Sequence, residues 1–194
     1  MATKLLAIVG SVTPPGRLLS ATRWLLDSAS ASRKDLEVDL INLADKKVAF
    51  ADGRPPEQYK DDIAGIIENV RDANGVIIAS PVYRGSFTGA LKNLLDHLPI
   101  ESLAGKPVGI VAMGATLHHY LGVDWHLRDV LAWFGALLVP TSVYLASTDF
   151  VDGQLTDNAK QDLKNLADAV IKLKEVAPAA GTYLGPKPLA GRRS

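Results

Sequence analysis

The chain predicts an α/β fold: a three-layer αβα sandwich around a five-stranded parallel sheet of order 2-1-3-4-5. Three observations predict it. Short continuous apolar runs recur along the chain, as strands buried on both faces require. Segments with apolar residues at helical spacing alternate with those runs. The alternation βαβαβαβαβα continues without internal repeats, which means a parallel sheet with helices on both faces. Right-handed crossovers leave few topologies for five strands, and the order 2-1-3-4-5 places a switch point between strands one and three.

Each element follows from its residues. Lys4–Val9 is an apolar run that ends at Gly10-Ser11 and reads as strand one. After the loop Ser11–Arg17, Leu18, Leu19, Thr22, Leu25, Leu26 and Ala29 predict a helix over 18–31. Leu36–Leu40 alternates and the run continues to Leu43, so strand two has a wetter face and suits an edge. Residues 44–58 are irregular, broken by Asp52-Gly53 and Pro55-Pro56. Ile63, Ile66, Ile67 and Val70 predict a helix closed by Asn74-Gly75. Val76–Ala79 is strand three, and a helix over 88–97 follows with Thr88 as its N-cap.

Val108–Met113 is strand four and leads into Gly114-Ala115-Thr116. A long helix is expected over 117–135. Leu137–Val139 and Val143–Leu145 form strand five, interrupted at Pro140. Asp152-Gly153 predicts a small hairpin turn, and Thr156 caps a last helix over 156–175. One domain over 1–176 is expected, with a tail over 177–194 that is extended or disordered.

Bulk properties narrow the function classes. At 194 residues the chain suits one domain with a full core. Lys+Arg and Asp+Glu are both 21, so the net charge is zero, which argues against nucleic acid as a partner. There is no cysteine, which removes disulfides, thiolate metal sites and cysteine nucleophiles. No run reaches membrane-spanning length, and the cytoplasm is the expected location.

Three loops carry the chemistry. Ser11–Ser20 joins strand one to a helix N-terminus, where free N–H groups and the dipole favour an anion. Ser11, Thr13 and Ser20 add hydroxyls, and Arg17 adds a charge-assisted donor for a phosphate. The same residues would also serve as a plain polar helix start with a surface arginine. No Walker or Gly-x-Gly-x-x-Gly pattern is present. The second loop, Ser80–Gly89, lies beyond the end of strand three, where open sheets bind ligands. Pro81 stiffens it, Val82, Tyr83, Arg84 and Ser86 line it, and Gly85 allows close approach to a planar partner. An ordinary surface loop with a proline turn is the other reading. The third loop is Gly114-Ala115-Thr116. Together the three describe a bed for a flat ring with a phosphate tail, as in flavin mononucleotide (FMN).

The stretch Ser80-Pro81-Val82-Tyr83-Arg84-Gly85-Ser86-Phe87-Thr88-Gly89-Ala90-Leu91-Lys92 and Leu94-Leu95-Asp96 carry a resemblance. So do Gly10-Ser11 with Arg17, and Gly114-Ala115-Thr116 with His118 and Val123-Asp124-Trp125. Over residues 4–150 the chain resembles the NAD(P)H-dependent FMN reductases of the flavodoxin-like superfamily. It is most similar to those that feed reduced flavin to alkanesulfonate- and methanesulfonate-type monooxygenases. The resemblance implies hydride transfer from NAD(P)H to FMN, with no catalytic side chain and no metal. It implies flavin as a substrate that leaves reduced, and a transient monooxygenase partner. The site it implies is Ser11, Thr13, Arg17, Leu18, Leu19 and Ser20 for the phosphate, with Pro81–Ser86 and Gly114–Thr116 for the ring. One departure stands out: such loops often have serine directly after the arginine, and here Leu18-Leu19 follows. Phosphate contacts must then come from backbone or from Ser20.

The 117–135 segment has two apolar stripes, Leu117/Leu121/Trp125 and Leu127/Leu131/Phe134, about 120° apart at roughly 100° per residue. One stripe serves the core, and the second predicts a protein partner. In the similar reductases this helix packs in a tetramer interface and carries a π-type insertion beside the flavin, which here would fall at Trp125 or His126. A homodimer or homotetramer through this helix is therefore expected. The alternatives are a quinone, azo-dye or chromate reductase on the same fold, or a non-enzymatic electron carrier or flavin-binding module.

Overall fold

The computed structural model describes residues 3–13, 16–179 and 182–186. Five parallel strand positions form its main sheet. They are β1 (Thr3–Val9), β2 (Leu36–Asn42), β3 (Gly75–Pro81), β4 (Pro107–Met113) and a split last position, β5 (Leu137–Leu138) with β6 (Val143–Leu145). The order is β2-β1-β3-β4-β5, and β6 also pairs with β4. This is the expected order, with the expected break at Pro140.

Period-two alternation sends the strand residues to two separate cores. Leu6, Ile8, Val76, Ile78, Val108 and Ile110 face α2 (Ile63–Asp72), α3 (Gly89–His97) and α4 (Gly122–Trp133). Leu5, Ala7, Val9, Ile77, Ala79 and Val111 face α1 (Arg17–Ser32) and α5 (Asp157–Val176). Helices therefore cover both faces, and the chain crosses sides between β1 and β3 as the sequence predicts.

Local signals set the helix ends. Thr88 accepts from the Leu91 N–H at 3.1 Å, and Thr156 accepts from the Ala159 N–H at 3.3 Å. Both are the expected N-caps. Asp152 (φ 50°) and Gly153 (φ 78°) form the turn between β7 (Phe150–Val151) and β8 (Gln154–Leu155). The expected tail of 177–194 falls largely outside the described residues.

The long helix expected over 117–135 is shorter. A single 3-10 turn covers Leu117–His119, and α4 starts only at Gly122. No core lies beneath Leu117, Tyr120 and Leu121, which stay exposed. At the helix start Gly122 packs against the Gly85 carbonyl, where an added Cβ would sit 2.7 Å from that oxygen. The expected π-insertion is absent as well. The Trp125 N–H donates to the Leu121 carbonyl at 2.9 Å, an i to i−4 bond, and α4 is regular through Trp125 and His126. Of the two expected stripes, the core one holds: Leu127, Leu131 and Phe134 are buried. In the other, Leu117 and Leu121 lie ahead of α4 and only Trp125 is on it, with Leu117 and Trp125 65% and 67% exposed.

Arg128 fixes α4 to the broken edge. Its Nε donates to Asp124 Oδ2 at 2.8 Å, and Nη2 donates to the Val139 and Pro140 carbonyls at 3.1 and 3.0 Å.

Thr88 does more than cap α3. Its hydroxyl also donates to the Gly10 carbonyl at the end of β1. Thr88→Val keeps the shape and removes both bonds in a buried site. We expect a loss of roughly 2 kcal/mol in unfolding free energy. Urea denaturation of the two proteins measures it, and equal midpoints would refute the role.

Candidate functional site

The C-terminal ends of β1, β3 and β4 bring the three loops to one edge of the sheet, as the topology requires. The Ser11 loop comes first. Ser11 Oγ and Thr13 Oγ1 are hydrogen-bonded to each other at 2.7 Å. Helix α1 begins after Gly16 with no side-chain cap, so its first N–H groups are not consumed by one. Among the described residues, the N–H groups of Arg17, Leu18 and Leu19 have no acceptor.

The Leu18 and Leu19 side chains are buried in the α1 core, so these residues offer only backbone to the loop. Ser20 turns back: its hydroxyl donates to the Gly16 carbonyl at 3.4 Å, and its N–H donates there too.

Arg17 is held from the far end of the chain. Its Nη2 donates to Ser147 Oγ at 3.4 Å, and the guanidinium lies 5.1 Å from the centre of the Phe150 ring. A cavity of about 130 Å³ opens beside it. Ser11, Thr13, Gly16, Arg17, Asn42 and Pro81 are among the residues that line it, with Met113 closing the β4 side. Whole drug-sized ligands need about 300–1,000 Å³. This cavity is the right scale for a phosphate and the start of a tail, not for a ring system.

The second loop is closed at its base. The Thr88 N–H donates to Ser80 Oγ at 3.2 Å, and Ser80 donates to the Pro81 carbonyl at 3.0 Å. Tyr83 and Ser86 exchange two backbone bonds of 2.7 and 3.1 Å. Arg84 (φ 51°) and Gly85 (φ 79°) form the two-residue turn between them, a left-handed pair of the type I′ kind. The turn presents Tyr83, 43% exposed, beside Val82 and Arg84 over a shallow open depression of about 320 Å³. The Val82 N–H donates to the Met113 carbonyl at 2.8 Å and ties this loop to β4.

The third loop continues the sheet for one residue: the Gly114 N–H donates to the Leu145 carbonyl at 3.0 Å. Tyr144 then donates to the Thr116 carbonyl at 2.6 Å. Burial pushes the Tyr144 phenol up from its ordinary pKa, which keeps it a donor. A Cβ on Gly114 would meet the Tyr144 oxygen, so any larger residue there would displace the Tyr144 side chain. The N–H groups of Ala115 and Thr116 donate to no acceptor among the described residues. His118 Nδ1 lies 3.0 Å from Thr116 Oγ1. Trp125 and His126 are exposed on α4 and line neither cavity.

Four contributors escaped sequence reasoning. Asn42 and Met113 line the small cavity, and Ser147 and Phe150 hold Arg17. Asn42 and Met113 are the last residues of their strands, so the rule that ligands bind at strand C-termini already pointed to them. Nothing local marks Ser147 or Phe150.

The family model described as NADPH-dependent FMN reductase matches residues 3–150. An NAD(P)H-dependent FAD/FMN reductase of Geobacillus thermodenitrificans is 31% identical over 182 residues, covering 93% of this chain and 98% of the relative. The NADH-dependent FMN reductase SfnF of Pseudomonas fluorescens is 32% identical over 183 residues, covering 94% and 95%. Among solved structures, the apo form of the NADH:FMN oxidoreductase EMOB superposes with a TM-score of 0.75 at 24% identity, over 96% of this chain and 98% of that one. An archaeal flavodoxin superposes with a TM-score of 0.61 at 14% identity, over 89% and 99%. These two likenesses speak for the flavodoxin-like fold alone. The family match and the relatives go further: the chain belongs to the NADPH-dependent FMN reductase family and is an enzyme of the NAD(P)H:FMN oxidoreductase class.

Proposed function

We propose that the chain reduces FMN with NAD(P)H and holds the flavin across the three loops. One observation carries the reading of the site. The first residues of α1, Arg17 among them, and the hydrogen-bonded Ser11–Thr13 pair line one cavity of phosphate size. Such a donor set suits a phosphate dianion. The FMN ring would lie along the Tyr83–Ser86 turn and the Ala115–Thr116 backbone, whose free N–H groups suit the carbonyl and nitrogen edge of a pyrimidine. Bound FMN supplies the hydride-accepting chemistry. The protein residues bind, orient and exclude water.

The assignments are Ser11, Thr13, Arg17 and the backbone of Leu18 and Leu19 for the phosphate, and Pro81–Ser86 with Gly114–Thr116 for the ring. The hydroxyl of Ser20 is spent on Gly16 and contributes less. Reduced flavin would pass to a partner monooxygenase, as the resemblance to sulfonate-system reductases implies. A dye-reducing role is the second reading, because an FMN-dependent NADPH-azoreductase of Staphylococcus saprophyticus is 28% identical over 149 residues. An electron carrier is the third, supported by fold likeness alone.

The domain reading is one unit over 1–176. No helix among the described residues is long and apolar enough to cross a membrane, and we assign the chain to the cytoplasm, where NAD(P)H is at hand. The exposed stripe Leu117/Leu121/Trp125, with Trp133 beside an open groove of about 640 Å³ between α3 and α4, supports a homo-oligomer. Gel filtration at several concentrations checks this: Trp125→Glu is expected to shift the protein to smaller species, and a monomeric wild type would remove the proposal.

Purified protein mixed with NADH or NADPH is expected to oxidise it faster as free FMN is added. A rate independent of FMN would refute flavin as substrate. Arg17→Ala removes a charge-assisted bond of about 1.5–3 kcal/mol. FMN affinity is then expected to fall roughly 10- to 100-fold, with riboflavin affinity unchanged. Equal losses for both would refute the phosphate role.

A further inference from the structure

A second cavity lies on the other side of the Ser11–Thr13 loop. Its volume is about 370 Å³, within the range of small-molecule sites. Val12, Leu43, Lys46, Val48, Phe50 and Ala90 line it. Val12 stands between the two hydroxyl residues of the small cavity, and Leu43 follows Asn42 of the same cavity. The two cavities are thus back to back across one short loop.

Phe50 is the unusual member. Its side chain is 87% exposed, yet the backbone on both sides of it is clamped. The Ala49 carbonyl accepts from Asn93 Nδ2 at 2.9 Å and from His97 Nε2 at 2.8 Å. The Ala49 N–H donates to Asp61 at 2.7 Å, and the Ala51 N–H donates to Asn93 Oδ1 at 2.9 Å. Two residues further on, Asp52 accepts from Tyr59 at 2.6 Å and pairs with Arg54, whose guanidinium lies over the Tyr59 ring. Tyr59 in turn packs edge-on against His97. A segment without regular structure is held rigidly to α3, and it presents one bare aromatic ring. Lys46 lines the same cavity and forms no ion pair with a carboxylate among the described residues.

A flat apolar face beside a lysine without an ion-pair partner among the described residues suits an aromatic base that carries a phosphate. We propose that this cavity binds the adenosine phosphate end of the nicotinamide dinucleotide, with adenine on Phe50 and Val12 and a phosphate on Lys46. The proposal rests on the reading that NAD(P)H is the reductant, and it adds a place for the half of that molecule that does no chemistry. A pre-ordered ring offers stacking without an ordering cost, which is the use of the clamps at Ala49 and Ala51. Binding energy gathered here, away from the reacting ring, would hold the nicotinamide in place.

ADP-ribose tests the proposal, because it carries the adenosine phosphates and no nicotinamide. It is titrated calorimetrically into the full-length protein, with and without saturating FMN. ADP-ribose is expected to bind equally well in both states. Phe50→Ala is expected to weaken it by roughly 5- to 150-fold, the range of base–aromatic stacking. Lys46→Gln is expected to weaken it further, and both variants are expected to keep wild-type FMN affinity and to raise KM for NAD(P)H with kcat little changed. Displacement of ADP-ribose by FMN would overturn the proposal, as would wild-type ADP-ribose affinity in Phe50→Ala. A change in oligomeric state of Phe50→Ala with unaltered ADP-ribose binding would assign the ring to a second copy and also overturn it. These titrations need no turnover, so failure of the reductase assay and failure of this site are read separately.

Discussion

One buried hydroxyl organises the functional edge. Thr88 Oγ1 donates to the last carbonyl of the β1 run at Gly10 and accepts from the α3 backbone at Leu91. Its own N–H is held by Ser80 at the end of β3. Two strand ends and one helix start therefore meet at a single side chain. Gly10 makes the meeting possible: a Cβ there would lie 2.8 Å from the Leu91 Cβ and 3.3 Å from the Ala79 carbonyl. The Ser11 loop and the Ser80–Ser86 loop both start from this knot, so their separation is set by buried bonds rather than by the loops themselves.

From that base the site is built mostly of backbone. Around the small cavity and along Ala115–Thr116, peptide N–H groups at a helix start and a strand end stand beside a few side-chain donors, Ser11, Thr13 and Arg17. Fixed dipoles of this kind need little reorganisation when a charged ligand arrives. Few side chains line the small cavity, and Arg17 among them is held in turn. Arg17 is held by Ser147 and Phe150, and the Thr116 carbonyl by Tyr144. This economy agrees with chemistry that resides in flavin and nicotinamide rather than in an acid–base pair.

The fold was legible because each strand declares itself twice, as an apolar run and by the loop residues that end it. Val76–Ala79 with Ser80-Pro81 is the clearest case, and the Pro140 break and the Asp152-Gly153 turn were legible for the same local reason. Helix α4 was overextended because periodicity counts leucines without knowing what lies beneath them. Leu117 and Leu121 fit the pattern, yet both stay exposed and lie ahead of the first residue of α4. The candidate site was legible by position only in part. Position after a strand pointed to Ser11–Arg17 and Ser80–Ser86, whereas Ser147 meets Arg17 across 130 residues of chain, a contact that only the assembled sheet creates. Phe50 has no local signal because its loop lacks periodicity, its order coming from Asn93 and His97 on a helix distant in sequence.

The broken last strand has a consequence for how copies of this chain can meet. A sheet edge with a long unpaired ladder recruits further strands and invites uncontrolled polymerisation. Here the outer edge is cut into pieces of two and three residues, and Pro140 in the gap has no N–H to offer. Arg128 takes up the carbonyls of Val139 and Pro140 at the same point. The opposite edge, β2, carries Glu37 and Asp39, which would repel a like strand laid against them. With one rim broken and the other carrying two carboxylates, neither edge favours β-addition, so any contact between copies falls to helical surfaces, where symmetry rather than strand pairing decides whether it closes.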